Sequence, residues 1–423
     1  MKIRKKILFA LVCLVIMSGI AGANPLAYDY TAIDDYALAA QKEHEESLLS
    51  LTNYFLLGVK NDQEKARVIY RWMSDRIAYD ASAYFANIDS LTEPTPNEVF
   101  QRRKGVCDSY AILFVELAEN LGIQAVKVDG IGKGLSYSVG RRLETATNHS
   151  WNAVRIDGLW YLLDVTWGAG YIQDRQFVKH FKPFYFCTPP EQFINDHYPV
   201  DDAMQLLSPP ISKEAFEQMV FLQPAYYLDS LKLVSHKEGV IETDGRLVIR
   251  LLVPPTVLVS ARLEHNGKIV GEQFVFLQRR DNILDVLVNP PLPGEQVLKI
   301  FSKRKSAPKD APYDWALDYC LRVFTGTGKD AVYPKLFGDY TTSGAYLFEP
   351  LTGILKANKS YNFRIDVPGA DEVVVVHGNR WFRLFRKDNL WEGSLTIPAQ
   401  DITIYAKFAG EVEHSSLISY RVK

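Results

Sequence analysis

Between residues 31 and 125 the apolar positions recur at helical spacing. Ala66, Ile69, Tyr70, Met73 and Ile77 mark one face of an amphipathic helix. Asn61 followed by Glu64 resembles a capping box at its start, and the pattern ends near Tyr79-Asp80. A Pro/Thr loop, "TEPTPNE", then leads to "KGVCDSYAILF". There Ala111, Phe114, Val115, Ala118 and Leu121 form a second apolar face, with Gly122 as a C-terminal stop. From "IQAVKVDG" onward the period changes to strands. A Gly-rich loop precedes "HSWNAVRI" and "LWYLLDVT", which flank Asp157-Gly158, a two-residue hairpin signal. After about residue 222 short alternating runs such as "RLVIRLLV", "YNFRIDV" and "DEVVVVHG" are separated by Pro, Gly and Asn turns. The expected organisation is an α+β core over 24–221 and two β-sandwich modules over 222–328 and 329–423.

The first residues break this texture. "MKIRKKILFALVCLVIMSGIAGAN" has a basic start, an apolar run and an Ala21-Gly22-Ala23 site, which predicts a cleaved signal peptide over 1–23 and export to a periplasm or medium. Cys13 follows Leu11-Val12 rather than a small residue, which argues against a lipoprotein site. No later run has the length of a membrane span, so no span is expected after cleavage. Loss of Lys2, Arg4, Lys5 and Lys6 takes the formal charge from -2 to -6, and no basic run offers a footprint for nucleic acid. Cys107, Cys187 and Cys320 remain. An odd number is no disulfide framework, and a leftover thiol in an exported chain invites a chemical reading.

The hairpin carries that reading further. A turn at 157–158 pairs Ile156 with Leu159, so Trp151 faces Asp164 and His149 faces Thr166. His149 and Asp164 then share one sheet face as diagonal neighbours, and a one-residue slip would separate them. An Asp on one ring nitrogen fixes the His tautomer and leaves the other nitrogen to take a thiol proton. Cys107 opens an apolar helix, where unpaired N–H groups and the dipole favour a thiolate. Each residue alone reads as packing or as a cap; together Cys107, His149 and Asp164 make a cysteine nucleophile set. His180, Cys187 and His197 match no common zinc spacing, so neither metal nor cofactor is expected. Trp151 and Trp167 flank the three residues as a shield.

"KGVCDSYAILF" and "NHSWNAVRIDGLWYLLDVTWGAGY" resemble the transglutaminase-like superfamily, with its Cys, His, Asp order. "ARVIYRWMSDRIAYD" and "PFYFCTPPEQFINDHYPVDDAMQLLSPP" are similar to its kyphoscoliosis peptidase-like branch, and the C-terminal runs to its immunoglobulin-like modules. The resemblance implies a papain-like core and an amide-directed thiol enzyme with Cys107, His149 and Asp164 as catalytic residues. By the same resemblance Trp72 stands where an upstream aromatic donor helps bind the oxyanion, although its place on the amphipathic helix equally suits core packing. No acidic loop corresponds to the calcium sites of animal transglutaminases. Peptide hydrolysis through a Cys107 acyl-thioester is expected over amine transfer. One reason is the branch; the other is the loop Gly130–Asn148, whose glycines and Arg141-Arg142 suggest a wet, mobile wall rather than an apolar tunnel. The partner expected is a protein or peptide substrate. Two other readings stand beside this one: a peptide-binding scaffold or adhesion protein that has no use for the thiol, and a cross-linking transglutaminase.

Overall fold

The computed structural model describes residues 28–86, 94–143 and 146–423; the segment expected as a signal peptide and Cys13 lie outside them. The chain divides into two compact units, residues up to 127 with 151–188, and 128–150 with 189–423.

In the first unit the periodic segment is a helix over Asp62–Arg76, and the Asn61 side chain accepts the Glu64 N–H at 2.8 Å. Glu64 returns its carboxylate to the Lys60 N–H rather than to Asn61, so only half of the expected box forms. Trp72, Tyr70, Met73 and Phe55 are fully buried and pack with Phe100, Phe114 and Leu117. The second expected helix runs over Cys107–Asn120, and Gly122 at φ 72 ends it, with Ile123 N–H returned to the Ala118 carbonyl. Strands β1 (Ala78–Tyr79) and β2 (Lys104–Gly105) pair in parallel, setting Tyr79 opposite Gly105.

Next come β3 (Ala125–Gly132), β4 (His149–Ile156) and β5 (Leu159–Leu163). With the strand His197–Pro199 they form a sheet of order β5, β4, β3, His197–Pro199. Asp157 (φ 50) and Gly158 (φ 84) make the left-handed two-residue turn, and β4 pairs with β5 from Ile156↔Leu159 to Asn152↔Leu163. That is the register expected from the turn. The ladder stops there, however. Asp164 leaves the sheet to cap a short helix, Val165–Ala169, so no His149–Thr166 pair forms.

The second unit holds two all-β sandwiches. The first packs a four-stranded sheet against a six-stranded one around Ile249, Val286, Leu298 and Leu317. The second repeats this pairing around Leu347, Ile365, Val375 and Ile404. Alternating burial along strands such as Leu247–Leu252 follows from one face being apolar and the other wet. The segment after β3 does not remain loose. Lys133 is buried with its Nζ on the Phe216 carbonyl at 2.8 Å, Tyr137 meets Phe221 edge-on, and Val139 joins Phe221 and Cys320 in a small apolar cluster. Arg141 and Arg142 are exposed, as are Leu135, Ser136 and Ser138, so the wall is wet in part and anchored at Lys133, Tyr137 and Val139.

Candidate active site

Cys107 is the first residue of its helix, and no side chain caps the Val106 end. The helix start thus puts its positive dipole end beside a half-buried thiol. Hydrogen bonds from outside hold this helix, two of them near the thiol. The Tyr110 hydroxyl donates to the Ile77 carbonyl at 2.7 Å, and Asn152 of β4 donates to the Ala111 carbonyl at 3.0 Å. The second bond ties the hairpin strand directly to the cysteine helix. The other two thiols differ sharply: burial alone raises Cys187 far above its ordinary value, and burial chiefly raises Cys320 to about 11.

Asp164 is fully buried, its carboxylate accepts the Trp167 N–H at 3.1 Å, and its own N–H goes to the Tyr185 carbonyl at 2.9 Å. It is thus both a helix cap and a carboxylate held at the end of β5. His149 opens β4, three residues before Asn152. Gly132 of β3 lies against it: a Cβ at 132 would stand 3.0 Å from His149 Cβ and 3.1 Å from Cγ and Cδ2. On the other side of Gly132, in register with it, is His197. The two imidazoles meet across the missing side chain, 5.4 Å between ring centres. His197 is itself fixed, with Nδ1 2.6 Å from Asp196 Oδ1 and its ring stacked on Phe193 at 4.0 Å.

His149 and His197 thus bring two buried imidazoles together, the donor type a transition metal takes, with Asp196 as an outer carboxylate on His197. The pair includes neither His180 nor Cys187, the other members of the group weighed from sequence.

Trp72 does not stand free to serve an oxyanion. Its indole N–H donates to Glu45 Oε1 at 2.7 Å, and the ring is stacked on Phe100 and covered by Arg103. An indole has a single donor, and here a core carboxylate holds it. Sequence reasoning passed over Tyr79, which the β1–β2 pairing sets beside the strand leading to Cys107. Burial first, then Cys107, Tyr84 and Asp164, push its hydroxyl far above the ordinary value, so it stays a protonated donor. A polar-tipped aromatic just beyond the end of an amphipathic helix was the available signal. His197 and Gly132 had none, because their meeting depends on strand order.

A thiol at a helix start, joined through Asn152 to a hairpin that carries His149 and Asp164, is the arrangement of the transglutaminase-like class. The model of the transglutaminase-like superfamily matches residues 50–165, and that of the KY-like, immunoglobulin-like domain matches 213–334. Kyphoscoliosis peptidase of Homo sapiens is 30% identical, over 93% of this chain and 77% of that protein. The Mus musculus protein of the same name is 32% identical over 68% of this chain, which spans 42% of its length. Hillarin of Drosophila melanogaster is 25% identical over 65% of this chain and 36% of that protein. The chain belongs to the kyphoscoliosis peptidase-like branch of the transglutaminase-like superfamily.

Proposed function

We propose that the chain is an exported thiol enzyme that opens amide bonds of proteins or peptides through an acyl-thioester on Cys107. The observation that carries this reading is the β4–β5 register together with the Asn152 bond to the cysteine helix. They support it by pairing β4 with the strand that ends just before Asp164 and by tying β4 to the Cys107 helix. In the reaction Cys107 attacks the carbonyl carbon, His149 having taken the thiol proton. The carbonyl oxygen becomes an oxyanion, which the positive end of the Cys107 helix and the Tyr79 hydroxyl would stabilise. Collapse breaks the C–N bond, His149 gives its proton to the leaving amine, and the thioester remains. Asp164 keeps the imidazole in the required tautomer.

Water as the second nucleophile is favoured by similarity to proteins named peptidases. Labelling with iodoacetamide, followed by mass spectrometry from pH 5 to 9, tests the thiol. Cys107 should react first at neutral pH, and faster labelling of Cys187 or Cys320 would end the proposal. Turnover of a peptide amide with millimolar primary amine present then separates water from amine as acceptor. Mostly amine-coupled product would make the protein a cross-linker.

A further inference from the structure

A cavity of about 2250 Å³ lies within the β-sandwich unit. Two strand edges face it. The strand Val257–His265 pairs with Gly294–Arg304 on one side, but on the other only Glu264 and His265 are paired, to Ile269 and Lys268. The strand Val275–Arg280 ends its sheet, pairing only with Ile283–Val288. Half-buried Leu258, Val259, Val275 and Leu277 form part of the floor between them.

The wall is cationic, and much of its charge has no carboxylate against it. Arg262 and Arg304 pair with Glu264 and Asp229. Arg279 instead gives its guanidinium to the main-chain carbonyls of Asp281, Val257 and Val253, and burial lowers its pKa. Lys303, 9% exposed, gives its ammonium to the carbonyls of Lys309 and Ala311 at 3.0 Å each. Arg280 and Lys305 are exposed on the same wall, with no ion pair among the described residues. A cation held by carbonyl dipoles, and in Lys303 also by the Tyr313 ring 4.9 Å away, is stabilised further when a carboxylate arrives, through a charge-assisted hydrogen bond.

We propose that this groove binds an extended acidic peptide, added as a strand along the open edge at Leu258–Arg262, with its carboxylates on the Arg279, Arg280, Lys303 and Lys305 wall. A strand edge offers N–H donors and carbonyl acceptors in alternation, and a second peptide backbone answers both. Phosphate or sulfate polymers would satisfy the wall but do not present backbone donors and acceptors in alternation at strand spacing, so they would leave the edge unmatched. Alternating side chains of an added strand would point in turn to the aliphatic floor and to the outer side, where exposed Arg280 and Lys305 stand. The inference does not depend on the thiol chemistry.

The test is fluorescence anisotropy of the full chain with a labelled Glu-Val repeat peptide, alongside an N-methylated version and short-chain heparin. The peptide should bind, and N-methylation at alternate residues, which keeps the charge but blocks strand addition, should weaken it at least tenfold. The exposed pair Arg280→Glu and Lys305→Glu should weaken it similarly without moving the melting temperature. Equal binding of the N-methylated peptide, tighter binding of heparin than of the peptide, or unchanged affinity in the charge-reversed chain would each overturn the proposal.

Discussion

Gly132→Ala is the smallest change that reaches the proposed site. No left-handed φ requires glycine there, so alanine keeps the strand, and the backbone bonds of Gly132 with the Asn148 amide at 2.7 and 3.2 Å stay available. The added methyl would stand 3.0–3.1 Å from three carbons of His149, where carbon pairs normally rest at about 3.5–4.0 Å. Relief therefore needs a shift of roughly 0.5–1 Å. His149 is 8% exposed and has His197 across Gly132, so the ring cannot turn freely into solvent. Overpacking of this size costs about 1–3 kcal/mol if the strand resists. A misplacement near 1 Å costs about a hundredfold in a positioned reaction. On the proposed reading Cys107 loses its imidazolium partner, and its thiolate fraction near pH 6.5 falls on the order of tenfold or more. The assay is the second-order rate of Cys107 alkylation against pH, with a thermal melt of the same sample. A folded variant whose Cys107 rate at pH 6.5 stays within twofold of wild type would refute the dependence on His149.

Three further outcomes are expected. Asp164→Asn keeps an oxygen to accept the Trp167 N–H, so stability should change little, while alkylation near pH 6.5 and any turnover fall at least tenfold. Unchanged rates would take Asp164 out of the mechanism. Trp72→Phe removes the donor to Glu45, which keeps Arg76 and Arg103, so unfolding by denaturant should show a loss of about 1 kcal/mol with turnover within threefold. A hundredfold drop in turnover would restore the oxyanion role. In the first sandwich, burial above all raises Asp318 from 3.8 to about 7. The folded state then binds more protons than the unfolded one between pH 4 and 7, and stability is lost as pH rises through that window. Asp318→Asn still accepts the Trp315 indole N–H at the same position, so it should match wild type near pH 4 and exceed it above pH 7, by as much as about 4 kcal/mol. A difference independent of pH in denaturant melts would count against it.

Local order was legible before any tertiary information. Apolar spacing located the helices at Asp62–Arg76 and Cys107–Asn120 to within a few residues, because a 3.6-residue period is a property of one segment. Asp157-Gly158 set the hairpin register for the same reason: the turn geometry leaves one pairing. Three features lay beyond that reach. Asp164 leaves the ladder because its carboxylate serves the Trp167 N–H, a local option that competes with the strand. Trp72 could be placed on a buried helix face, but Glu45, the acceptor of its N–H, comes from a segment 27 residues earlier. The glycines after β3 suggested mobility, yet Lys133, Tyr137 and Val139 are packed against residues some 80 to 180 positions later. His149 and His197 face each other only because β3 lies between their strands with a glycine at the crossing. Periodicity and turn chemistry act between near neighbours in the chain and were readable there. Which side chains meet across strands was settled by strand order and burial, which the linear pattern does not encode.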